Sequence, residues 1–306
     1  MEPVVILLLA LAFDFVLGEF PNPVHPVFWV GKVISLELRL APRQGRRAQL
    51  LYGAGIVILT VGLLAVGVYF FLDYLEGVNT LVYLLVAAFL LKSTFSIKGL
   101  RRAALRVRDS LEAGNLNTAR TQLGSLVSRD TSQLDEPQLI SATVESTAEN
   151  ASDSFVAPLL YFLLLGVPGA VAYRVVNTFD AMIGYHGKYE YLGKVAARLD
   201  DVVNFIPSRI SALLIVAAAY LLREDGKRAW RVMLRDHGRT ESPNAGWPMS
   251  ATAGALRTRL EKVGHYQLGD PNRPLTSGAI ISAERLVNTV AIMWGWICLV
   301  SRVVLI

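Results

Sequence analysis

The sequence predicts an all-α, multi-pass integral membrane protein, and three observations carry that reading. Of the 306 residues, 53% are hydrophobic and only 18% are charged, against about 25% charged in soluble domains. The missing charge is concentrated in long apolar runs, with four to six hydrophobic segments of membrane character. No convincing period-2 pattern, internal repeat or low-complexity tract competes with helix.

The clearest segment is Leu50 to Leu72, 23 residues without a charge, enough for about 30 Å of hydrocarbon. Val4–Leu17 precedes it; with no basic n-region or small-residue cleavage site, it is expected to be retained rather than cleaved. Val78–Leu91, extending to Ile97, follows. Phe155–Val176, Ile210–Leu222 and Val287–Val300, extending to the C-terminus, complete the set. Several are short enough to suit re-entrant or protein-buried elements.

Charge sets the expected orientation. Arg39, Arg43, Arg46 and Arg47 precede the Leu50 run, Asp73 and Glu76 follow it, and Lys98, Arg101, Arg102, Arg106 and Arg108 come after the next. The positive-inside rule puts 39–47 and 98–154 in the cytoplasm and 73–77 outside. Arg223, Lys227, Arg228, Arg231, Arg235 and Arg239 form a second cytoplasmic cluster. Segments 155–176 and 205–222 must then both cross or both stop short. Gly166 and Pro168 interrupt the first of them, which favours dipping against protein or a water-filled cavity. The whole chain, 1–306, reads as one membrane-embedded domain with a cytoplasmic helical region at 98–154 and a cytoplasmic loop-rich region at 223–285. Within the former, Leu100, Ala104, Val107 and Leu111 share a face, Gly114-Asn115 makes a turn, and Ala119, Leu123, Leu126 and Val127 continue the period, as in a helical hairpin.

The polar residues gather in five places. In "TVESTAENASDSFVAPLLYF", a helix starting at Asp135-Glu136-Pro137 puts Ile140, Val144, Ala148, Ala151 and Phe155 on one face. Glu145, Glu149 and Ser152 lie nearly opposite, flanked by Asn150 and Asp153. Acids at i, i+4 and i+8 repel, so water, a basic partner or a divalent cation must offset them. Spacing alone favours a solvated face; the alternative is a hard-cation site, since Mg²⁺ takes one or two carboxylates with phosphate oxygens and water. The second place is "YRVVNTFDAMIGY", with Arg174, Asn177 and Asp180 on one side. The third is "ARLDDVVNFIPSRI", with Arg198, Asp201 and Asn204 sharing a face. Ionisable groups at such depth mark a site or pair to pin helices together. The fourth is Asp14 followed by "GEFPNPVHPVFWVGK", with Glu19 and His25 on a Pro-rich loop. The fifth is Ser242-Pro243-Asn244-Ala245-Gly246, a turn whose backbone N–H groups suit an anion if it opens a helix and is otherwise only a turn.

Several chemistries are absent. There is no GxxxxGK[ST], and the Gly187-Lys188 of "GYHGKYE" has neither the spacing nor the following hydroxyl. There is no GxSxG, HExxH or Cys/His zinc spacing. One cysteine, Cys298, allows no intramolecular disulfide. The Asn150-Ala151-Ser152 sequon lies in a region read as cytoplasmic, and the net charge of +5 is too scattered for nucleic acid.

The five collections, in this order, resemble the CobD/CbiB family of cobalamin biosynthesis, adenosylcobinamide-phosphate synthase, over nearly the whole chain. The most specific parts are "LVSRDTSQLDEPQLISATVESTAENASDSFVAPLLYF", "GVPGAVAYRVVNTFDAMIGY", "AARLDDVVNFIPSRI", "SPNAGWPMSATAGAL" and the opening "D…GE…HPV…G". Two departures are mild: Ala151-Ser152-Asp153-Ser154 replaces the usual Thr-Ser-Asp-Gly, and Ser250 and Thr252 stand where small apolar residues are usual.

The resemblance implies an ATP- and Mg²⁺-dependent ligase of the cell membrane with its site facing the cytoplasm. It would join adenosylcobyric acid to (R)-1-amino-2-propanol or its O-phosphate. It implies that Glu145, Glu149 and Asp153 hold Mg²⁺ and that Arg174, Arg198 and Arg209 neutralise phosphate. Asp180, Asp200 or Asp201 would orient or deprotonate the amine, with Glu145 and Glu149 also counted as catalytic. Ser242, Asn244 and Gly246 would contact phosphate or a corrin amide. Asn150, Asn177, Asn204 and Glu19 would line the substrate, and His25 or Glu19 would be a less favoured base. Membrane lipids, a second copy of the chain and other membrane enzymes of the pathway are the expected partners. The competing reading is an AmpE-type membrane sensor or scaffold, which would have little need of so many charged groups.

Overall fold

The computed structural model describes residues 1–185, 187 and 189–304; His186, Lys188 and the last two residues, and with them half of the Gly187-Lys188 pair, lie outside the described residues. The helices are α1 (Glu2–Leu17), α2 (Pro26–Arg39), α3 (Arg46–Val78), α4 (Thr80–Thr94), α5 (Ile97–Glu112), α6 (Leu116–Leu123), α7 (Glu136–Ala151) and α8 (Ala157–Ile183). They continue with α9 (Lys194–Val203), α10 (Phe205–Leu221), α11 (Gly226–Asp236), α12 (Gly246–Leu256) and α13 (Ser277–Val304). Two short strands, β1 (Arg259–Lys262) and β2 (Tyr266–Gly269), pair antiparallel with Lys262 opposite Tyr266.

Local chemistry sets many of these boundaries. Asp135 accepts the Gln138 N–H while Gln138 reaches back to the Asp135 N–H, a reciprocal cap for α7. Asn79, Asn115 and Asp225 cap α4, α6 and α11 from one side only, each accepting a backbone N–H of the first turn. Gly114, at φ 70°, closes the turn of the expected hairpin between α5 and α6.

Four helical stretches have the length and apolarity to cross a membrane: Arg46–Val78, Thr80–Glu112, Glu136–Ile183 and Ser277–Val304. A fifth exists if Lys194–Val203 and Phe205–Leu221 form one broken span. This agrees with the four to six segments expected; α1, with 16 residues, is shorter than these. The first segment read as dipping therefore belongs to a stretch long enough to cross; the second reaches that length only joined to α9 across a 48° bend, a geometry shared by broken spans and re-entrant loops. The expected interruption is nevertheless present: Gly166, at φ 69° and ψ −162°, breaks α8 ahead of Pro168.

The region 223–285 departs from the loop-rich expectation. It holds α11, a single 3₁₀ turn (His237–Arg239), α12 and the β1–β2 hairpin. The strands escape a period-2 search because each has four residues and a single buried leucine, Leu260 or Leu268, set among charged residues in β1 and among Tyr, Gln and Gly in β2.

The residues cluster into two compact units interleaved in sequence. One comprises Met1–Ser96, Ala157–Asn204 and the chain from Cys298. Its core is built by Ile34, Ile56, Val57, Val175, Phe179, Ile183 and Ala196 from α2, α3, α8 and α9. Gly53 admits this packing: a Cβ there would lie 2.0 Å from the Leu192 carbonyl oxygen.

The other unit comprises Ile97–Val156 and Phe205–Ile297. Here α7 is surrounded by α5, α6, α12 and β1, and Leu139 through Ala148 are buried without interruption. The carboxylate stripe is thus split: Glu145 is buried, while Glu149 is only partly so. A π-helical turn, Ser152–Val156, follows α7; such turns recur at functional sites.

Candidate functional site

In the second unit the site is built around Glu145. Its carboxylate is 4% exposed, a costly place for a charge unless donors surround it. Three do. Ser141 Oγ donates to Oε1 at 2.6 Å, the Tyr266 phenol donates to Oε2 at 2.9 Å, and the Arg129 guanidinium donates to Oε2 at 3.3 Å. Ser141 in turn accepts the Glu261 N–H at 2.7 Å, which ties α7 to the hairpin. Burial, reinforced by Glu145 and its hydrogen bond, pushes the Tyr266 phenol well above its ordinary pKa. Tyr266 is therefore a standing donor.

Glu149 and Asp153 are only partly buried, one on the last turn of α7 and the other in the π turn. Asn150 is spent locally, donating to the Ser146 carbonyl at 2.9 Å and accepting from Ser154 at 3.0 Å. Among the described residues no three His, Cys, Asp or Glu side chains gather to hold a metal ion. Glu145 is engaged by three protein donors; carboxylates such as Glu149 and Asp153 are of the type that Mg²⁺ takes together with phosphate and water.

The same unit holds a cation–aromatic cluster. The Arg209 guanidinium lies 3.5 Å from the Phe205 ring centroid and 4.7 Å from that of Trp247, while His237 stacks on Trp247 at 3.9 Å. Arg209 also donates to the Phe205 carbonyl at 2.6 Å and to Asn244 Oδ1 at 3.4 Å, where Ser208 donates too. Ser242 Oγ accepts the Asn244 and Ala245 N–H groups, so it shapes the turn. Gly246 is required by packing: a Cβ would lie 2.0 Å from the His237 carbonyl oxygen.

The first unit brings the second and third collections together. Asp200 accepts from Asn204 Nδ2 at 2.9 Å and from Asn177 Nδ2 at 3.4 Å, one on each carboxylate oxygen. Arg174 donates to Asn177 at 3.2 Å, and Tyr173 donates to the buried Asn204 at 2.9 Å. Arg174, Asn177, Asp200, Asn204 and Tyr173 thus form one polar chain across α8 and α9. Arg198 pairs with Asp201 at 3.4 Å in a more exposed position, and Asp180 closes over Gly184 at the end of α8.

The N-terminal collection, also in the first unit, surrounds a lysine that sequence reasoning passed over. Lys92 is fully buried and lies 3.2 Å from Asp14 and 3.5 Å from Glu19, under the rings of Phe20 and Phe95. His25 Nε2 faces Glu19 at 3.4 Å, and its Nδ1 accepts the Val27 N–H as the cap of α2. Both ring nitrogens are occupied, an arrangement that anchors the loop. Desolvation works to raise the Glu19 pKa, but the His25 hydrogen bond and the Lys92 charge outweigh it and hold the carboxyl at about 2.

Sequence reasoning also missed Arg129, Tyr266 and Trp247. Arg129 and Trp247 stand inside quoted motifs, but only tertiary contact gives them a role.

The long apolar helices and their embedded carboxylate, guanidinium and amide networks define a polytopic helical membrane protein. Residues 7–293 match the family described as CobD/Cbib protein. The cobalamin biosynthesis protein CobD of Dehalococcoides mccartyi is 54% identical over 294 residues, covering 96% of each chain. The probable cobalamin biosynthesis protein CobD of Methanothermobacter thermautotrophicus is 40% identical over 295 residues, again 96% of each. The Klebsiella pneumoniae cobalamin biosynthesis protein CobD is 38% identical over 290 residues, 93% of this chain and 91% of that one. No solved structure matches the chain. The chain belongs to the CobD/CbiB family.

Proposed function

We propose that this chain is an ATP-dependent amide ligase of cobalamin biosynthesis, condensing adenosylcobyric acid with (R)-1-amino-2-propanol or its O-phosphate. The observation that carries the reading is the family match over residues 7–293. The buried Glu145, with three donors, and the half-buried Asp200, with two, support it, since charges so expensive to bury are kept where they serve a site.

A carboxylate is a poor electrophile and needs activation, most simply as an acyl phosphate. Mg²⁺, held by Glu149 and Asp153, would supply charge neutralisation of the phosphates. Tyr266, Ser141 and Arg129 fix the Glu145 side chain beside the turn that carries Glu149. Arg209, held between Phe205 and Trp247, presents its remaining N–H groups to a phosphate oxygen; catalysis here is mainly positioning and electrostatics. Asp200, oriented by Asn177 and Asn204, accepts a hydrogen bond from the ammonium or amine. The positive-inside pattern at 39–47 and 98–108 supports a site facing the cytoplasm.

The test is incubation of the purified protein with adenosylcobyric acid, ATP, Mg²⁺ and either amine, with product mass as readout. Mass gain by amide formation with one amine supports the reading and identifies the substrate; unchanged corrinoid with both refutes it. A folded Glu149→Gln protein that still ligates would remove Glu149 from the metal.

A further inference from the structure

Within the second unit, α5 and α13 border a cavity of about 430 Å³ that none of the groups above uses. Arg101 and Arg108 reach it from α5 and Arg285 from α13. Its one acid, Glu284, is 5% exposed. That carboxylate is already neutralised, with Arg101 Nε at 2.9 Å and the Asn288 amide donating to the same oxygen. Arg108 is neutralised on its outer side by two exposed acids, Asp109 at 2.5 Å from Nη2 and Glu112 at 3.8 Å from Nε. Arg285 has no ion-pair partner among the described residues. The positive charge left over at the hollow is that of Arg285.

Leu105, Leu222 and Ile281 give the wall an apolar part, and Asn288 and Thr289 add neutral polar groups. Its position along the chain is informative. The uncharged run 210–222 ends at Leu222, with Arg223 next, and the uncharged run 286–301 begins directly after Arg285. Two apolar helices thus leave hydrocarbon at the level of this cavity. A hollow that is cationic on one side and apolar on the other, at the edge of the bilayer, suits a ligand with the same division.

We propose that this cavity is a binding site for an anionic phospholipid. The phosphodiester lies between Arg285, Arg108 and the outer face of Arg101, and the glycerol and upper acyl carbons lie on Leu105, Leu222 and Ile281. The inference is independent of the ligase reading, because no residue of that site lines the cavity.

The experiment uses the full chain in neutral detergent, titrated with phosphatidylglycerol, phosphatidylcholine or inorganic phosphate, with unfolding temperature and lipid retention in native mass spectra as readouts. Saturable retention and a raised unfolding temperature with phosphatidylglycerol alone are expected. Arg285→Gln and Arg108→Gln should each weaken that binding about fivefold, the worth of one cation near an anionic surface. Equal retention of both lipids by the wild-type chain overturns the proposal, whatever the variants do. So does protection by inorganic phosphate equal to that by phosphatidylglycerol, which assigns a soluble phosphate instead. Wild-type affinity in both variants, each folded, overturns it as well.

Discussion

Tyr266 donates its phenolic hydrogen to Glu145 at 2.9 Å across a sequence separation of 121 residues. The bond joins the hairpin to the most buried acid of α7. Since the acceptor is a buried carboxylate, removing the hydroxyl should cost about 1.5–3 kcal/mol. Tyr266→Phe keeps the ring volume, so chemical denaturation in detergent micelles should show this loss without a change in helix content. Ligase activity should fall alongside, while Tyr266→Phe at wild-type stability would mean that Glu145 is held by Ser141 and Arg129 alone.

That bond also shows where sequence legibility ends. The Asp135 cap, the α5–α6 hairpin and the break at Gly166 rest on local chemistry, and each was readable from neighbouring residues. The fate of the Glu145 stripe was not. Spacing favours solvent for acids at i and i+4, yet the strands near 260, a charged and an uncharged tetrapeptide with one buried leucine each, lie against Glu145. A turn signal existed in Gly264, at φ 76°, but nothing local said what the hairpin would lie against. Likewise Asp200 has one donor in local reach, Asn204 at i+4, whereas Asn177 meets it only when α8 and α9 pack.

Glu19 should mark the acid limit of the N-terminal anchor. Its carboxyl falls from an ordinary 4.5 to about 2 in the folded chain. The folded state therefore binds its proton less readily than the unfolded state. Its contribution is complete above about pH 4.5 and is lost as pH falls through about 2. Unfolding midpoints measured across that window should decline more steeply for the wild type than for Glu19→Gln. Parallel curves would contradict the anchor.

Gly246 tests whether the turn at 242–246 is held by packing. An added methyl meets the His237 carbonyl at 2.0 Å and Thr240 Oγ1 at 2.8 Å, and a backbone atom cannot step aside cheaply. Gly246→Ala should destabilise by roughly 1–3 kcal/mol, read from denaturant midpoints. The shift should also displace Trp247 from His237, visible as altered tryptophan fluorescence. A stable Gly246→Ala chain with lost activity alone would return the glycine to an anion-contacting role.

Arg209 is the sharpest probe of the phosphate assignment, because its place depends on shape as much as charge. The guanidinium is flat, stacks on Phe205 and Trp247, and keeps further N–H donors for a ligand; an ammonium on a flexible stem does none of this. Arg209→Lys retains the charge and loses the stack, worth about 0.5–2 kcal/mol. The KM for ATP should then rise roughly 2- to 30-fold, with kcat changed less, in steady-state ligation assays. A rise confined to the phosphorylated amine would move Arg209 to that substrate's phosphate. An unchanged KM for both would leave Arg209 as a helix-packing residue and take it out of the site.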